Sequence, residues 1–191
     1  SGALLPYFGI RLVSVARTIE NPWIDRYLSR MRERTGQEVV PREGALRALG
    51  RALREGRCLG ILSDQNAGKQ GIFVEFFGRP ASTVAAPATL ALKFGAALIP
   101  AYQRRLGLDF RHRLVMDSPI EPPDTGDRTT DVWIMTQEMT RRFERWVREA
   151  PGQWLWSHRR WKRQPREDET WRPDVPVAAN EPTDRFCGGA M

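Results

Sequence analysis

The chain has 191 residues, 41% of them hydrophobic, and its 30 Lys+Arg against 23 Asp+Glu give a formal charge of +7 at pH 7. At that length a folded chain buries roughly 70% of the surface its unfolded form exposes, so a domain with a real core is expected and disorder throughout is excluded. Two cysteines and two histidines are too few for a disulfide framework or a Cys/His zinc cluster, and no apolar run reaches the ~18 residues a membrane-spanning helix needs.

Residues 10–16 (IRLVSVA) are short, apolar and β-branched and predict a strand; Asn21-Pro22 then opens a helix to about residue 35, with proline at its first position. In 44–55 (GALRALGRALRE) Leu46, Leu49 and Leu53 share one face with arginines outside, and Gly56 closes a helix that lies on a sheet. The run 58–62 (CLGIL) reads as a buried strand. It stops at Ser63-Asp64-Gln65-Asn66, a polar cluster at the strand end where α/β sheets usually bind ligands. Residues 69–77 pass from a Gly-flanked loop into an apolar strand or turn, and Ser82-Thr83 stand where they could cap a helix over 84–94. Two more strands are expected at 96–102 and 108–116, with Gly107 at the turn, then one long helix over 129–150. Alternating strands and helices predict an α/β fold, a central mostly parallel sheet flanked by helices, over residues 1–166. Residues 167–191, rich in Pro, Asn, Gly and Asp beyond 173, are expected to be a disordered tail.

Between Arg141 and Arg166 nine Arg/Lys face two acids, a surplus of +7 that matches the formal charge of the whole chain. Six of the seven tryptophans lie after residue 130, and Trp154, Trp156 and Trp161 interleave with this basic run. Such a surface suits anionic lipid headgroups or single-stranded nucleic acid, and a solvated basic face with core tryptophans is the plain alternative.

Nucleophilic and nucleotide chemistries find no support. There is no G-x-S-x-G elbow, and Gly68-Lys69 lacks the first glycine and the Ser/Thr of a phosphate-binding loop. His112 and Asp117 have the H-x-x-x-x-D spacing of an acyl-transfer base and its carboxylate, but residues five apart on a strand point to opposite faces. Asp64-Gln65 and Arg17 each read equally as substrate contacts or as an Asx-turn and a solvent-facing arginine.

In order along the chain, VARTIENPWID (15–25), GILSDQNAGKQGIFVEFFGRPAST (60–83), LALKFGAALIPAY (90–102) and PGQWLWSHRRWKRQP (151–165) resemble the bacterial lipid A lauroyl/myristoyl acyltransferases of the lysophospholipid acyltransferase superfamily. The resemblance covers residues 12–166; the second and fourth segments are its most specific parts.

That resemblance implies transfer of a fatty acyl chain from acyl carrier protein, or less often coenzyme A, to a hydroxyl of a lipid A precursor or related glycolipid, with no cofactor or metal. It implies a histidine base paired with a carboxylate five residues on, which deprotonates the acceptor hydroxyl for attack on the thioester. The family places this pair about ten residues or fewer before Ser1, and an N-terminal membrane helix before that. The chain thus reads as N-terminally incomplete, without its own catalytic pair and inactive in isolation. By family position Arg17 and Asp64 support the site. Asn21, Gln65, Phe76, Phe77, Gly78, His158, Arg159, Arg160, Trp161 and Lys162 contact substrate or shape the cleft. The implied partners are acyl carrier protein, the glycolipid acceptor and an anionic membrane surface at the cytoplasmic face of the inner membrane, with no nucleic acid. The competing reading is a non-catalytic basic, Trp-rich module that binds anionic lipid or nucleic acid.

Overall fold

Three short strands lie parallel and hydrogen-bonded, which is what strands joined by helical crossovers do. In a computed structural model, which describes residues 5–6, 8–16, 19–41, 44–107, 109–167 and 169, β1 (Leu12–Ala16) is the central strand. It pairs with β2 (Glu38–Pro41) on one side and β3 (Cys58–Gly60) on the other, in the order β2-β1-β3. Helix α1 (Pro22–Glu33) crosses from β1 to β2, and α2 (Ala45–Arg54) from β2 to β3. β2 is absent from the sequence reading because EVVP is only four residues long and closes on proline, too little for an alternation to register.

The fold is α/β, with helices flanking a parallel sheet, but only three strands are parallel. The remaining strands form two antiparallel hairpins, β4 (Ile72–Phe76) with β5 (Arg79–Thr83) and β6 (Ala101–Arg105) with β7 (His112–Met116). Helix α3 (Ala86–Phe94) and the long α4 (Arg128–Glu149) complete the order. Ser82 and Thr83 do not cap α3. Both are fully buried in β5, and the helix starts from Ala85 without a side-chain cap, with proline inside its first turn. The expected tail lies almost wholly outside the described residues.

One core packs Val13, Val40, Leu49, Ala52 and Leu90 between the sheet and helices α2 and α3. Burying each large aliphatic of this set is worth about 1.5–3 kcal/mol. Leu46 does not join them and is 65% exposed. Phe94 packs so closely on Gly50 that a Cβ there would lie 2.7 Å from its ring, and the buried stripe of α2 runs instead through Ala45, Leu49 and Ala52. A second core joins α3 to α4 through Ala88, Ala91, Met135 and Met139.

Helix α4 closes the open edge of β4 with side chains. Trp133 Nε1 donates to the Phe73 carbonyl (2.8 Å), Gln137 accepts from the Glu75 N–H (2.7 Å) and donates to its carbonyl (3.0 Å), and Glu144 accepts from the Phe77 N–H (2.7 Å). Positions 133, 137 and 144 lie on one helical face, so a single helix satisfies the ladder groups that an edge strand leaves unpaired. Gln137→Ala strands one donor and one acceptor of the Glu75 backbone and is expected to cost about 2 kcal/mol. Urea unfolding checks it, and an unchanged midpoint contradicts the edge-closing role.

Candidate functional site

The chain leaves the parallel sheet at Gly60 and runs through Ile61, Leu62 and Ser63 to Asp64. Ser63 is buried, and Asp64 is partly so, with its Oδ1 shielded from solvent and without a hydrogen-bond partner among the described residues. The Asp64 carboxylate acts electrostatically on Arg160, only 2% exposed. Its Nη1 donates to the Ser82 carbonyl (2.6 Å), its Nη2 to Thr83 Oγ1, and its guanidinium lies 5.4 Å over the Phe76 ring. Burial pulls the Arg160 pKa down to about 10, against the opposing pull of the Asp64 carboxylate, so the side chain is still charged at neutral pH.

Asp64 opens on a cavity of about 280 Å³ between the β3 exit, β6 and the C-terminal half of α4. Its walls are chiefly Leu62, Tyr102, Phe143, Trp146, Val147 and Trp154. Tyr102 stacks on Trp146 with ring centroids 4.3 Å apart, which stiffens one wall. An apolar groove with Asp64 in its wall fits an amphipathic molecule whose polar end stops at that residue. A larger cleft of about 720 Å³ lies by Lys69, Arg128, Thr129 and Arg163 at the start of α4, and Asp64 does not line it.

The C-terminal Trp/His/Arg segment docks on the loop that carries Asp64. His158 Nε2 accepts from the Asn66 N–H (2.9 Å), which assigns the ring proton to Nδ1, and the Arg159 carbonyl accepts from Asn66 Nδ2 (3.4 Å). Trp161 donates to the Phe76 carbonyl (3.2 Å) and stacks on that ring at 5.6 Å. Residues some ninety positions apart thereby fix one loop.

The structure brings Asp64, His158, Arg159, Arg160, Trp161, Phe76 and Phe77 into one neighbourhood. Phe76 is 1% exposed and, like Arg160, makes its contacts within the protein. Phe77 (φ 54°) and Gly78 (φ 70°) form the two-residue β4–β5 turn, in which both positions are left-handed. Gln65 and Lys162 are exposed. Asn21 is remote from this group in role: its Oδ1 caps α1 by accepting from Trp23 N (3.0 Å) and Ile24 N (3.3 Å). Arg17 lies outside the described residues. His112 and Asp117 form no pair. His112 Nδ1 meets the Phe110 carbonyl, while Asp117 is held by Arg142 and Arg145. Asn66, Tyr102 and Trp146 escape sequence reasoning, although the Asn next to Asp64-Gln65 and the alternation of AYQRR offered a signal for the first two.

The family model for bacterial lipid A biosynthesis acyltransferases matches residues 3–163. The chain belongs to that family. Among curated relatives, an Escherichia coli (strain K12) lipid A biosynthesis lauroyltransferase is 30% identical over 156 residues, covering 80% of this chain and 49% of its own length. A phosphatidylinositol mannoside acyltransferase of Mycobacterium tuberculosis (strain ATCC 25618 / H37Rv) is 28% identical over 134 residues, 68% of this chain and 40% of its own. A Haemophilus influenzae lipid A biosynthesis acyltransferase is 24% identical over 157 residues, 82% of this chain and 48% of its own. The chain thus spans about half the length of the curated relatives it matches or somewhat less. In this lipid A acyltransferase family member, the Asp64 loop and the segment docked on it both fall inside the matched range. No described helix is long and apolar enough to cross a membrane.

Proposed function

We propose that this chain is the acyl-binding and site-supporting part of an acyltransferase that moves a fatty acyl group from a thioester, on acyl carrier protein or coenzyme A, to a hydroxyl of a lipid A precursor or a related glycolipid. The acceptor oxygen attacks the thioester carbonyl, the new ester C–O bond forms as the C–S bond breaks, and the acceptor proton passes through a histidine base to the leaving thiolate. The family pattern calls for a histidine base with a carboxylate five residues on, and His112 and Asp117, which have that spacing here, make other contacts, so residues 1–191 alone are expected to be inactive. The observation that carries the reading is the apolar groove whose wall includes Asp64 at the strand end. The groove takes the aliphatic tail, and Asp64 with Arg160 behind it holds the polar end where transfer occurs. Lipid A precursors and phosphatidylinositol mannosides are the acceptors that the relatives' names suggest, at the cytoplasmic face of the inner membrane.

The nucleic-acid alternative loses its basis in the same geometry. Arg160 is buried, Arg141 and Arg142 pair with Glu138, Arg145 with Asp117, Arg148 with Glu144 and Arg163 with Glu169. Trp154 and Trp161 pack against Phe76. Six of the nine basic residues of the run are thus buried or ion-paired, and Arg159, Lys162 and Arg166 stay exposed.

The test is transfer of a radiolabelled acyl group from acyl carrier protein and from coenzyme A to lipid A precursors and to phosphatidylinositol mannosides, by the complete gene product and by residues 1–191 alone. Transfer by the complete product only is expected. Transfer by neither sinks the reading, and transfer by residues 1–191 places the base within them.

A further inference from the structure

Helix α1 is amphipathic, yet none of its residues is buried. Asp25, Leu28, Ser29 and Arg32 are half-buried on the side toward β2. The opposite side carries Trp23 (77% exposed), Tyr27 (65%) and Met31 (49%) at i, i+4 and i+8, with Ile24 (49%) beside them. A second stripe at the same spacing, Arg26, Arg30 and the C-cap residue Arg34, runs alongside, all exposed and in no ion pair among the described residues. Of the helix's two acids, Asp25 accepts from the Ile19 N–H (3.0 Å) and Glu33 is exposed one turn from Arg30, so three arginines against one carboxylate leave this side a positive surplus. Four large apolar side chains left in water on one helix forgo the ~25 cal/mol per Å² that burial returns and form a contiguous patch of the kind that marks an interaction surface.

We propose that α1 lies flat on an anionic lipid surface, its Trp23/Tyr27/Met31 stripe in the headgroup–acyl boundary and its Arg26/Arg30/Arg34 stripe on the lipid phosphates. Trp and Tyr seat at that boundary through an apolar ring with a polar edge, and arginines beside them reach phosphate while their stems stay on the apolar side. Charge complementarity selects an anionic surface over an apolar protein groove, since the outward stripes contain three cations. The choice of lipid rests on the glycolipid reading above. In the C-terminal Arg/Trp run Arg160 is buried and five more arginines are ion-paired, leaving Arg159, Lys162 and Arg166 exposed, whereas on α1 all three arginines of the stripe lie beside a continuous apolar stripe on one helix.

Flotation with phosphatidylcholine vesicles, with and without a minority of phosphatidylglycerol, tests this on the full chain. The wild type is expected to float with the anionic vesicles. The triple variant Trp23→Ala/Tyr27→Ala/Met31→Ala should lose about tenfold or more of this affinity at any salt. Arg26→Gln/Arg30→Gln/Arg34→Gln should lose a similar factor at low salt and match the wild type at ~1 M salt, where charges are screened beyond about 3 Å. Both should melt with the wild type, because α1 buries no side chain. Wild-type behaviour of both variants, or no flotation of the wild type, overturns the proposal while leaving acyl transfer to its own assay. A dimer that becomes monomeric in the apolar variant, with flotation unchanged, assigns the face to a second copy and overturns it equally.

Discussion

Arg160→Ala is expected to lower unfolding stability by about 3–5 kcal/mol, because two buried acceptors lose their donor at about 1–3 kcal/mol each and a cavity is left beside Phe76. For a chain of this size that is a fall in Tm of roughly 10 °C. Three groups lose their partner at once: the Ser82 carbonyl, Thr83 Oγ1 and the Asp64 carboxylate. The ring contact with Phe76 goes with them. The pH dependence distinguishes this from a cavity effect. Because the folded-state pKa of Arg160 is depressed to about 10, the unfolded chain binds more protons than the folded one only above that pH. Burying the charge costs a constant amount at lower pH, and stability attributable to this group rises only as pH climbs past 10. Urea unfolding of wild type and variant should therefore give the same difference at pH 7 and at pH 9 and a larger one above pH 10, whereas a cavity effect alone gives one difference throughout.

Asp64→Asn is expected to reduce kcat/KM for acyl transfer by the complete gene product about a hundredfold while the protein still folds, since asparagine keeps the shape and loses the charge. The factor is that of one preorganised polar contact at a reacting centre, about 10²–10³. The competing outcome is specific. If Asp64 serves only to balance Arg160, the variant loses stability and its activity per folded molecule is unchanged. A double-mutant cycle between positions 64 and 160, read once by unfolding and once by kcat/KM, separates the two: a structural pair couples in the first measurement alone. Because Asp64 lines the groove and also faces the charge of Arg160, coupling in both is expected.

Local signals in the chain are strong wherever one residue suffices to settle a backbone choice. Asn21-Pro22 starts α1, Gly44 and Gly56 bracket α2, and Gly107 turns β6 toward β7 with φ 71°. The parallel sheet follows from apolar runs alternating with amphipathic helices, and the four ordered motifs suffice to place the chain in its family. The polar strand end at Asp64 is equally visible as a cluster of four polar residues after CLGIL.

What the linear pattern does not carry is pairing across distance. Ser82 and Thr83 look like a helix cap because their side chains suit one, and it is Arg160, seventy-seven positions from Thr83, that claims Thr83 Oγ1 and the Ser82 carbonyl within a buried strand. The basic C-terminal run looks like a nucleic-acid or lipid surface because charge is counted along the chain, whereas folding lays most of those arginines against carboxylates of α4, the β7 exit and Glu169. The groove wall has the same origin. Tyr102 and Trp146 are ordinary core candidates until β6 meets the C-terminal half of α4 and stacks them beside Asp64. Sequence by itself determined the family, the layer order and the polar loop, because each rests on short-range conformational preference or on ordered motifs. Tertiary structure decided which charges remain free, that Asp64 keeps an unsatisfied oxygen and that α1 turns its aromatic stripe outward, because burial and neutralisation depend on which distant side chains arrive at the same place.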